Sequence, residues 1–225
     1  MDPDKKDIFK QMRLEMVYSQ LTPRGIKNNA VLEAMNNVPR EIFVTEENIP
    51  VAYHDCPLPL FFGQTISQPY IVALMTELLK IPEKAADTKI LEVGTGSGYQ
   101  AAVLAYIGCR VTSVERIPDL ASFARINLAK LPYADRITIV NGDGSEGFTQ
   151  ASPYDRIIVT AAAPEIPPEL VEQLARGGRM VIPCGDLFTQ QLIVVDKASS
   201  GKISLEKGIA CRFVPLIGKE GFESC

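Results

Sequence analysis

The segment that decides the fold reads Lys89-Ile90-Leu91-Glu92-Val93-Gly94-Thr95-Gly96-Ser97-Gly98-Tyr99, in which an apolar run leads directly into three alternating glycines. A helical pattern, Gln100 to Tyr106, follows without a break. Glycines at such a turn let the backbone approach a ligand closely, and the start of the following helix offers unpaired N–H groups. A tight turn made for purely structural reasons would also use glycine, so the interpretation depends on the rest of the chain.

Apolar, β-branched runs alternate with helical patterns after this segment, as a parallel sheet built from βαβ units requires. The predicted strands are Lys89 to Val93, Arg110 to Val114, Arg136 to Val140, Arg156 to Thr160 and Arg179 to Pro183. Beyond them, Gln191 to Asp196 and Leu205 to Val214 flank Ser199-Ser200-Gly201, which favours an antiparallel hairpin. The sequence therefore predicts an α/β fold with a doubly wound, mostly parallel sheet and an antiparallel C-terminal edge.

The first part of the chain lacks this alternation. Helical patterns cover Asp7 to Gln20 and Lys27 to Asn36, and the prolines between Val51 and Gly63 forbid a long helix there. A chain of 225 residues is long enough to bury a sizeable core. We expect a single domain, residues 1–225, in which residues 1–80 form an N-terminal helical extension and residues 81–225 form the α/β core.

Composition argues against several classes of protein. The net charge is −4 and the basic residues are interspersed with acidic ones, so no basic stripe is available for a nucleic acid. The first residues lack the apolar core of a signal peptide, and no apolar run is long enough to span a bilayer. The five cysteines are scattered and form no C-x-x-C pair, which is typical of reduced thiols and argues against a zinc site. We therefore expect a cytoplasmic protein that binds no metal, nucleic acid or membrane.

Two acidic residues follow the ends of later predicted strands. Glu115 ends the second strand, where a carboxylate can accept hydrogen bonds from ribose hydroxyls. Asp143 lies in the turn Asn141-Gly142-Asp143-Gly144 after the third strand, where it could hold an adenine amino group. Because the carboxyl ends of parallel strands share one edge of a sheet, both acids should lie near the glycine turn. The simpler interpretations remain that Glu115 is an ordinary exposed acid and that Asp143 only forms a turn.

A dinucleotide-dependent oxidoreductase is the rival interpretation of the glycine turn. Its fingerprint is G-x-G-x-x-G, whereas the glycines here are Gly94, Gly96 and Gly98. The single histidine, His54, lies outside the predicted sheet and has no evident partner for hydride chemistry. The spacing therefore disfavours an oxidoreductase.

The Glu-x-Gly-x-Gly-x-Gly loop with its later strand-end acid resembles the first motif of class I S-adenosylmethionine-dependent methyltransferases, and the likeness runs from Lys89 to Pro183. It implies the Rossmann-like fold of that class, with S-adenosyl-L-methionine as cofactor and S-adenosyl-L-homocysteine as product. The core residues that it implies for cofactor binding are Glu92, Gly94, Thr95, Gly96, Gly98, Glu115, Gly142 and Asp143.

Three further segments are similar to protein-L-isoaspartate O-methyltransferases. They are GQTISQP at residues 63–69, VTAAAPEIP at residues 159–167 and RFVPL at residues 212–216. The resemblance implies methylation of the free α-carboxylate of L-isoaspartyl, and also D-aspartyl, residues in damaged proteins. The ester then cyclises to a succinimide, which begins repair. Isoaspartyl-containing proteins and peptides would be the partners, and a monomer is favoured over an oligomer.

The same resemblance gives roles to the loop before a predicted helix. Pro69 suits the first turn of that helix, and Ser67 or Gln68 is expected to cap it. A carboxylate bound at the helix N-terminus would need no Lys or Arg partner. Ser67 is catalytic by resemblance, although a capping role alone remains open. The implied cofactor contacts of the loop are Gln64, Thr65, Ile66 and Ser67. The implied substrate contacts are Thr65, Ile66, Ser67 and backbone near Val214.

A carboxylate nucleophile simplifies the expected chemistry. It is already ionised at neutral pH, so we expect in-line transfer by positioning, without a general base. His54 is therefore interpreted as structural or exposed. Asp55 lies in a Tyr-x-Asp-x-Pro-Leu-Pro stretch similar to that of the family, but an aspartate there is also typical of a turn.

Phe61 departs from the family pattern. The family shows P-L-P-I-G-x-G-Q-T-I-S, and residues 57–67 read PLPLFFGQTIS, so Phe61 replaces a glycine. If that glycine has a positive φ, Phe61 must bend the loop differently and change the width of the peptide groove. We expect a Phe61→Gly change to alter peptide KM more than cofactor affinity.

Two other functions remain compatible with the first motif. One is methylation of RNA or a small molecule, which the missing basic face and the absence of tryptophan disfavour for RNA. The other is a non-catalytic module that senses S-adenosylmethionine, and enzymatic turnover would distinguish it.

Overall fold

The computed structural model describes residues 3–83 and 85–223. The α-helices in those ranges are α1 (Pro3–Met16), α2 (Asn29–Asn37), α3 (Pro69–Leu78), α4 (Tyr99–Ile107), α5 (Pro118–Leu128) and α6 (Pro168–Gln173). The strands are β1 (Leu58–Pro59), β2 (Thr65–Ile66), β3 (Lys89–Val93), β4 (Arg110–Glu115), β5 (Ile137–Asn141), β6 (Tyr154–Val159), β7 (Leu174–Gly185), β8 (Gln190–Lys197) and β9 (Ile203–Cys211).

Seven strands form one sheet in the order β5-β4-β3-β6-β7-β8-β9. The strands from β5 to β7 are parallel, and β8 and β9 are antiparallel to their neighbours. The chain moves outward from β3 to β5 and then returns to β6 on the other side of β3. The side on which the chain adds its next strand therefore changes between β3 and β6. Sheets of this kind bind ligands at the carboxyl ends of the two strands at such a point. The predicted doubly wound sheet with an antiparallel edge is confirmed.

The sequence was wrong about the start of β7. The resemblance to class I methyltransferases implies a helix from about Pro168 to Ala175 before this strand, but α6 ends at Gln173 and Leu174 already pairs with Tyr154 of β6. Leu174 is buried against the sheet, and the strand regains its register after an irregularity between Tyr154 and Arg156. Local helical propensity was overridden by this tertiary contact.

The N-terminal extension packs on α4 of the α/β core. Helix α1 is followed directly by one wider helical turn, Val17–Leu21, so the helical segment begins earlier than predicted and ends one residue after the predicted Gln20. Phe43 packs edge-on against Tyr99 of α4 with ring centroids 5.5 Å apart. A single apolar cluster contains buried residues of both parts. No helix in the described ranges is long and apolar enough to cross a membrane.

Four cysteines, Cys56, Cys109, Cys184 and Cys211, are free thiols. Cys225, which was also expected to be a reduced thiol, lies outside the described residues.

Candidate active site

Three neighbouring cavities open at the carboxyl ends of β3 and β6. Residues that line cavity A include Gln64, Thr65, Gly94, Gly96, Glu115 and Val214. Residues that line cavity B include Thr65, Ile66, Ser67, Thr95, Gly96 and Tyr99. Residues that line cavity C include Arg24, Thr65, Ser67, Tyr70, Arg212 and Val214. Thr65 and Thr160 line all three, and Ser67 lies between B and C. Most of the predicted site residues are thereby brought together.

The loop between β3 and α4 requires glycine at three positions. Gly94, Gly96 and Gly98 all have positive φ, at 92°, 55° and 91°. A Cβ atom at Gly94 would also lie 2.6 Å from the Oγ1 of Thr160. Gly94 and Gly96 line cavities A and B, whereas Gly98 lies at the start of α4 and faces Leu128. The loop thus presents bare backbone to the cleft.

Glu115 fastens this loop to the end of β4. Its carboxylate accepts hydrogen bonds from the N–H of Gly96 at 2.9 Å and from the N–H of Ile117 at 3.0 Å. The side chain is buried, and it lines cavity A. Each carboxylate oxygen has a second lone pair, so Glu115 can still accept bonds from a polyhydroxylated ligand.

Glu92 lies beneath the glycine loop and lines none of the three cavities. It is fully buried, accepts a hydrogen bond from the Ser113 hydroxyl, and leaves its Oε1 without a partner among the described residues. Ser113 in turn shares a 2.6 Å hydrogen bond with the Thr95 hydroxyl. Burial raises the pKa of Glu92 to about 8, against the hydrogen bond from Ser113. The arrangement supports the loop from below.

Gly142 and Asp143 also lie outside the lining of the cavities. The carboxylate of Asp143 accepts bonds from the Ser145 N–H at 2.9 Å and from the Lys219 N–H at 2.8 Å. Partial burial alone would raise the pKa of Asp143, but these hydrogen bonds outweigh it and the pKa lies below its usual value. In this conformation Asp143 holds the C-terminal segment, as the alternative interpretation of a local structural role would require.

The loop from Leu60 to Gln64 joins β1 to β2. The N–H of Gln64 donates to the carbonyl of Phe61 at 3.1 Å, and Phe62 and Gly63 between them have φ of 59° and 68°. The left-handed position is thus Phe62, not Phe61. The Phe61 ring packs edge-on against Phe123 of α5 at 5.4 Å and does not line cavity C. The structure thus gives Phe61 a packing contact with α5 and no place in the lining of cavity C.

Asp55, rather than Ser67 or Gln68, caps α3. Its Oδ1 accepts a hydrogen bond from the Tyr70 N–H at 3.0 Å, and its Oδ2 pairs with Arg24. Gln68 occupies the N-cap position of α3, but its side chain accepts no hydrogen bond from the first turn of the helix. The helix N-terminus is thus already occupied by a carboxylate of the chain, which corrects the expectation that it would receive the ligand.

The Ser67 hydroxyl, by contrast, has no hydrogen-bond partner in the described part of the chain. It is half-buried and faces cavities B and C. Since Asp55 provides the cap, Ser67 is free to donate to a ligand. His54 is exposed and lines none of the three cavities.

Val214 borders cavities A and C. Its carbonyl accepts the N–H of Ala162 at 2.8 Å, which fixes the segment after β9 against the end of β6. Its own N–H has no partner within residues 3–83 and 85–223. One backbone donor therefore remains for an extended ligand in cavity C.

Two features of the cleft were missed at the level of sequence. Thr160 lines every cavity and its hydroxyl donates to the Val93 carbonyl at 3.0 Å. Arg40 is fully buried and donates to the Ser67 carbonyl at 2.8 Å. The segment match at Val159 to Pro167 could have pointed to Thr160, whereas no pattern in the sequence marks Arg40.

Comparison with known proteins gives a consistent picture. The family model described as protein-L-isoaspartate(D-aspartate) O-methyltransferase matches residues 12–221. A protein-L-isoaspartate O-methyltransferase of Hyperthermus butylicus is 47% identical over 95% of this chain and 92% of its own length. One from Koribacter versatilis is 50% identical over 93% of this chain and 92% of its own.

Solved structures agree with these relatives. A protein-L-isoaspartate O-methyltransferase superposes with a TM-score of 0.82 at 28% identity, covering 93% of this chain and 67% of that one. A Plasmodium falciparum protein described as an enzyme of the same kind was solved in complex with S-adenosyl-L-homocysteine. It superposes with a TM-score of 0.78 at 26% identity, covering 93% and 98% of the two chains.

Proposed function

The chain belongs to the protein-L-isoaspartate O-methyltransferase family, and from that premise we propose how its cleft divides the work. Its activity is S-adenosylmethionine-dependent methylation of isoaspartyl residues in damaged proteins. Cavities A and B hold the cofactor, cavity C holds the peptide, and Ser67 stands where they meet.

The residues of cavities A and B fit S-adenosyl-L-methionine. Gly94 and Gly96 leave a cradle of bare backbone, and the adjacent buried carboxylate of Glu115 suits ribose hydroxyls. Thr95, Gln64 and Thr65 would complete the walls. When bound, the cofactor supplies an electrophilic methyl group on a sulfonium centre. Glu92, Gly98 and Asp143 would act on it indirectly, through the shape of the loops.

Cavity C suits an extended peptide. It lies between the end of β9 and the start of α3, and it borders the free N–H of Val214. Arg24 and Arg212 are its charged lining residues, and since Arg24 is paired with Asp55, Arg212 gives the groove its positive charge although the whole chain has a net charge of −4. A substrate whose reactive group is a carboxylate is attracted by that potential.

Ser67 orients the carboxylate rather than activating it. Its hydroxyl can donate one hydrogen bond and fix one oxygen, and a carboxylate at neutral pH has no proton to lose. Thr65, Ile66 and Thr160 line the cleft around that position, where a bound peptide would displace water. Alignment and exclusion of water are the contributions that such a site can make to the rate.

The observation that carries the proposal is the free Ser67 hydroxyl at the junction of the cavities, released from capping by Asp55. The test is transfer of labelled methyl groups to an isoaspartyl peptide and to its normal aspartyl twin. Base-labile label is expected on the first peptide alone. Equal label on both would contradict the assignment, and label on RNA or a small molecule would favour the alternative class.

We further propose one domain, a monomer and a cytoplasmic location. The apolar cluster shared by the N-terminal extension and α4 supports a single domain. The four described thiols are unpaired, as is typical of proteins in a reducing compartment.

A further inference from the structure

Arg40 is a buried cation whose described partners are all neutral. Its Nε donates to the Ala52 carbonyl at 2.7 Å and one terminal nitrogen donates to the Ser67 carbonyl at 2.8 Å. The guanidinium lies over the Tyr99 ring, 4.8 Å from its centroid. The other terminal nitrogen has no partner among the described residues. The neighbouring carboxylate, Glu41, is taken by Arg13 and Tyr53.

Such a side chain is costly to bury. An ionised group removed from water normally requires a counter-ion, and loss of hydration without one disfavours folding. Burial lowers the pKa of Arg40, yet a guanidinium keeps its proton in proteins. A positive charge therefore remains beneath the cleft without a negative group of the chain beside it.

That charge lies directly behind Ser67. Arg40 binds the carbonyl of Ser67, whose side chain faces cavities B and C, and it lies over Tyr99, which lines cavity B. The start of α3 cannot supply a comparable attraction, because Asp55 already accepts the Tyr70 N–H. Asp55 is itself balanced by Arg24. Arg212 of cavity C also has no carboxylate partner in the described residues, but it is exposed to solvent, so Arg40 is the buried charge that is left over.

We propose that Arg40 is a positioning residue that makes the cleft selective for a charged α-carboxylate over a neutral group of the same shape. It acts from behind Ser67: it holds the Ser67 carbonyl, so that this oxygen does not repel the substrate, and it supplies the missing positive charge. This inference rests on the proposed function and names the feature of the substrate that the site selects.

The role predicts a split between binding and chemistry. The cation favours the bound carboxylate, and the negative charge of that carboxylate disappears as the ester forms. Loss of the charge should therefore raise peptide KM more than it lowers kcat. A role in packing alone would weaken every ligand of the cleft alike.

The experiment compares two peptides, an isoaspartyl peptide and its α-carboxamide twin, by calorimetry in the presence of S-adenosyl-L-homocysteine. The ratio of their affinities measures recognition of the charge. In Arg40→Gln the ratio should fall by roughly tenfold, equivalent to about 1.4 kcal/mol. Citrulline in place of Arg40 keeps the shape, the Nε–H and one terminal NH2 group, and so the donors of both hydrogen bonds, but it has a neutral carbonyl oxygen where Arg40 has its unpaired nitrogen. It should give the same fall.

Arg156→Gln is the matched control. Arg156 also donates to backbone carbonyls, those of Leu79 at 2.7 Å and Lys80 at 3.0 Å, but it does not line the three cavities. Its ratio should equal that of the wild type. An unchanged ratio of affinities in the citrulline protein would overturn the proposed role of Arg40. This test remains available if Arg40→Gln does not fold. Wild-type protein that binds neither peptide would instead contradict the proposed function.

Discussion

Gly96 donates its backbone N–H to the carboxylate of Glu115 over 2.9 Å, and this bond joins the glycine loop after β3 to the end of β4. The second carboxylate oxygen accepts the N–H of Ile117 at the start of the next turn. One side chain thereby fixes two loops that border cavity A. Its removal should affect both the direct contacts of the cofactor and the shape of its cradle.

Glu115→Ala should weaken binding of S-adenosylmethionine by about 1 to 3 kcal/mol, the size of a lost hydrogen bond to a charged group. Isothermal titration of the cofactor gives the value directly. Glu146→Ala is the control, because Glu146 is an exposed acid paired with Lys219. Unchanged affinity in Glu115→Ala would remove this residue from the cofactor site.

The parts of the fold predicted from sequence are those in which the local pattern and the tertiary structure agree. The apolar runs at residues 90–91 of β3 and 157–159 of β6 lie in the centre of the sheet and are fully buried, as strands covered on both faces require. Leu174 was misassigned because its pairing with Tyr154 depends on a strand distant in sequence. Helical propensity alone cannot register that contact.

The candidate site was predicted as a set of positions rather than as a set of contacts. The glycines can be recognised from the sequence because other residues rarely adopt the φ of Gly94 and Gly96. The strand-end acids can be recognised from their position. Glu92 and Asp143 have the right residue type, but burial beneath Ser113 and the bond to Lys219 decide where they point. The sequence did not indicate a role for Arg40, because its hydrogen-bond partners are distant in sequence and meet it only in the folded chain.

Phe61→Gly should weaken cofactor binding more than it raises peptide KM, the reverse of the order expected from sequence. The ring packs on Phe123 of α5, a helix that starts beside Ile117 at the rim of cavity A. An aromatic pair of this geometry contributes about 0.5 to 1.5 kcal/mol. The dissociation rate of S-adenosylhomocysteine should therefore rise by up to roughly tenfold.

Phe123→Ala should reproduce that increase, and the double variant should add little to either single change. Phe188→Ala removes a more exposed aromatic ring from the turn between β7 and β8, far along the chain, and serves as the control. A larger effect on peptide KM than on cofactor release would restore the original expectation.

Glu92 should make the folded state less stable as the pH rises. Burial raises the pKa of Glu92 to about 8 from its ordinary value of 4.5. Between those values the folded protein holds a proton that the unfolded chain has lost, so the free energy of unfolding falls as pH increases. The contribution is full below about pH 4.5 and is lost by about pH 8, with a slope of at most about 1.4 kcal/mol per pH unit.

Glu92→Gln carries a neutral side chain at every pH and should flatten that part of the curve. Urea unfolding between pH 5 and 9 compares the two proteins, and Glu146→Gln controls for a change of charge at the surface. Parallel curves for wild type and Glu92→Gln would mean that Glu92 is ionised in the folded protein across this range.

The last prediction concerns Ser67 and the pH dependence of methyl transfer. The nucleophile is a carboxylate, whose ordinary α-carboxyl pKa is about 3.5, so its charge does not change near neutrality. If Ser67 only donates a hydrogen bond, kcat for the chemical step should be nearly flat from about pH 6 to 8, the range in which histidine bases titrate. Ser67→Ala should lower the plateau by roughly ten- to a hundredfold, the value of a hydrogen bond to a charged group, without tilting it.

Single-turnover transfer at saturating peptide is the measurement that isolates this step from product release and from succinimide formation. The choice matters because the ester itself hydrolyses faster in base. His54→Gln is the matched variant: His54 is exposed and lines none of the three cavities, so its loss should leave the curve unchanged. A rise in rate with an apparent pKa near 6.5 that disappears in His54→Gln would show that a general base takes part. The carboxylate would then need more than the alignment that Ser67 provides, and the proposal that Ser67 only orients it would be wrong.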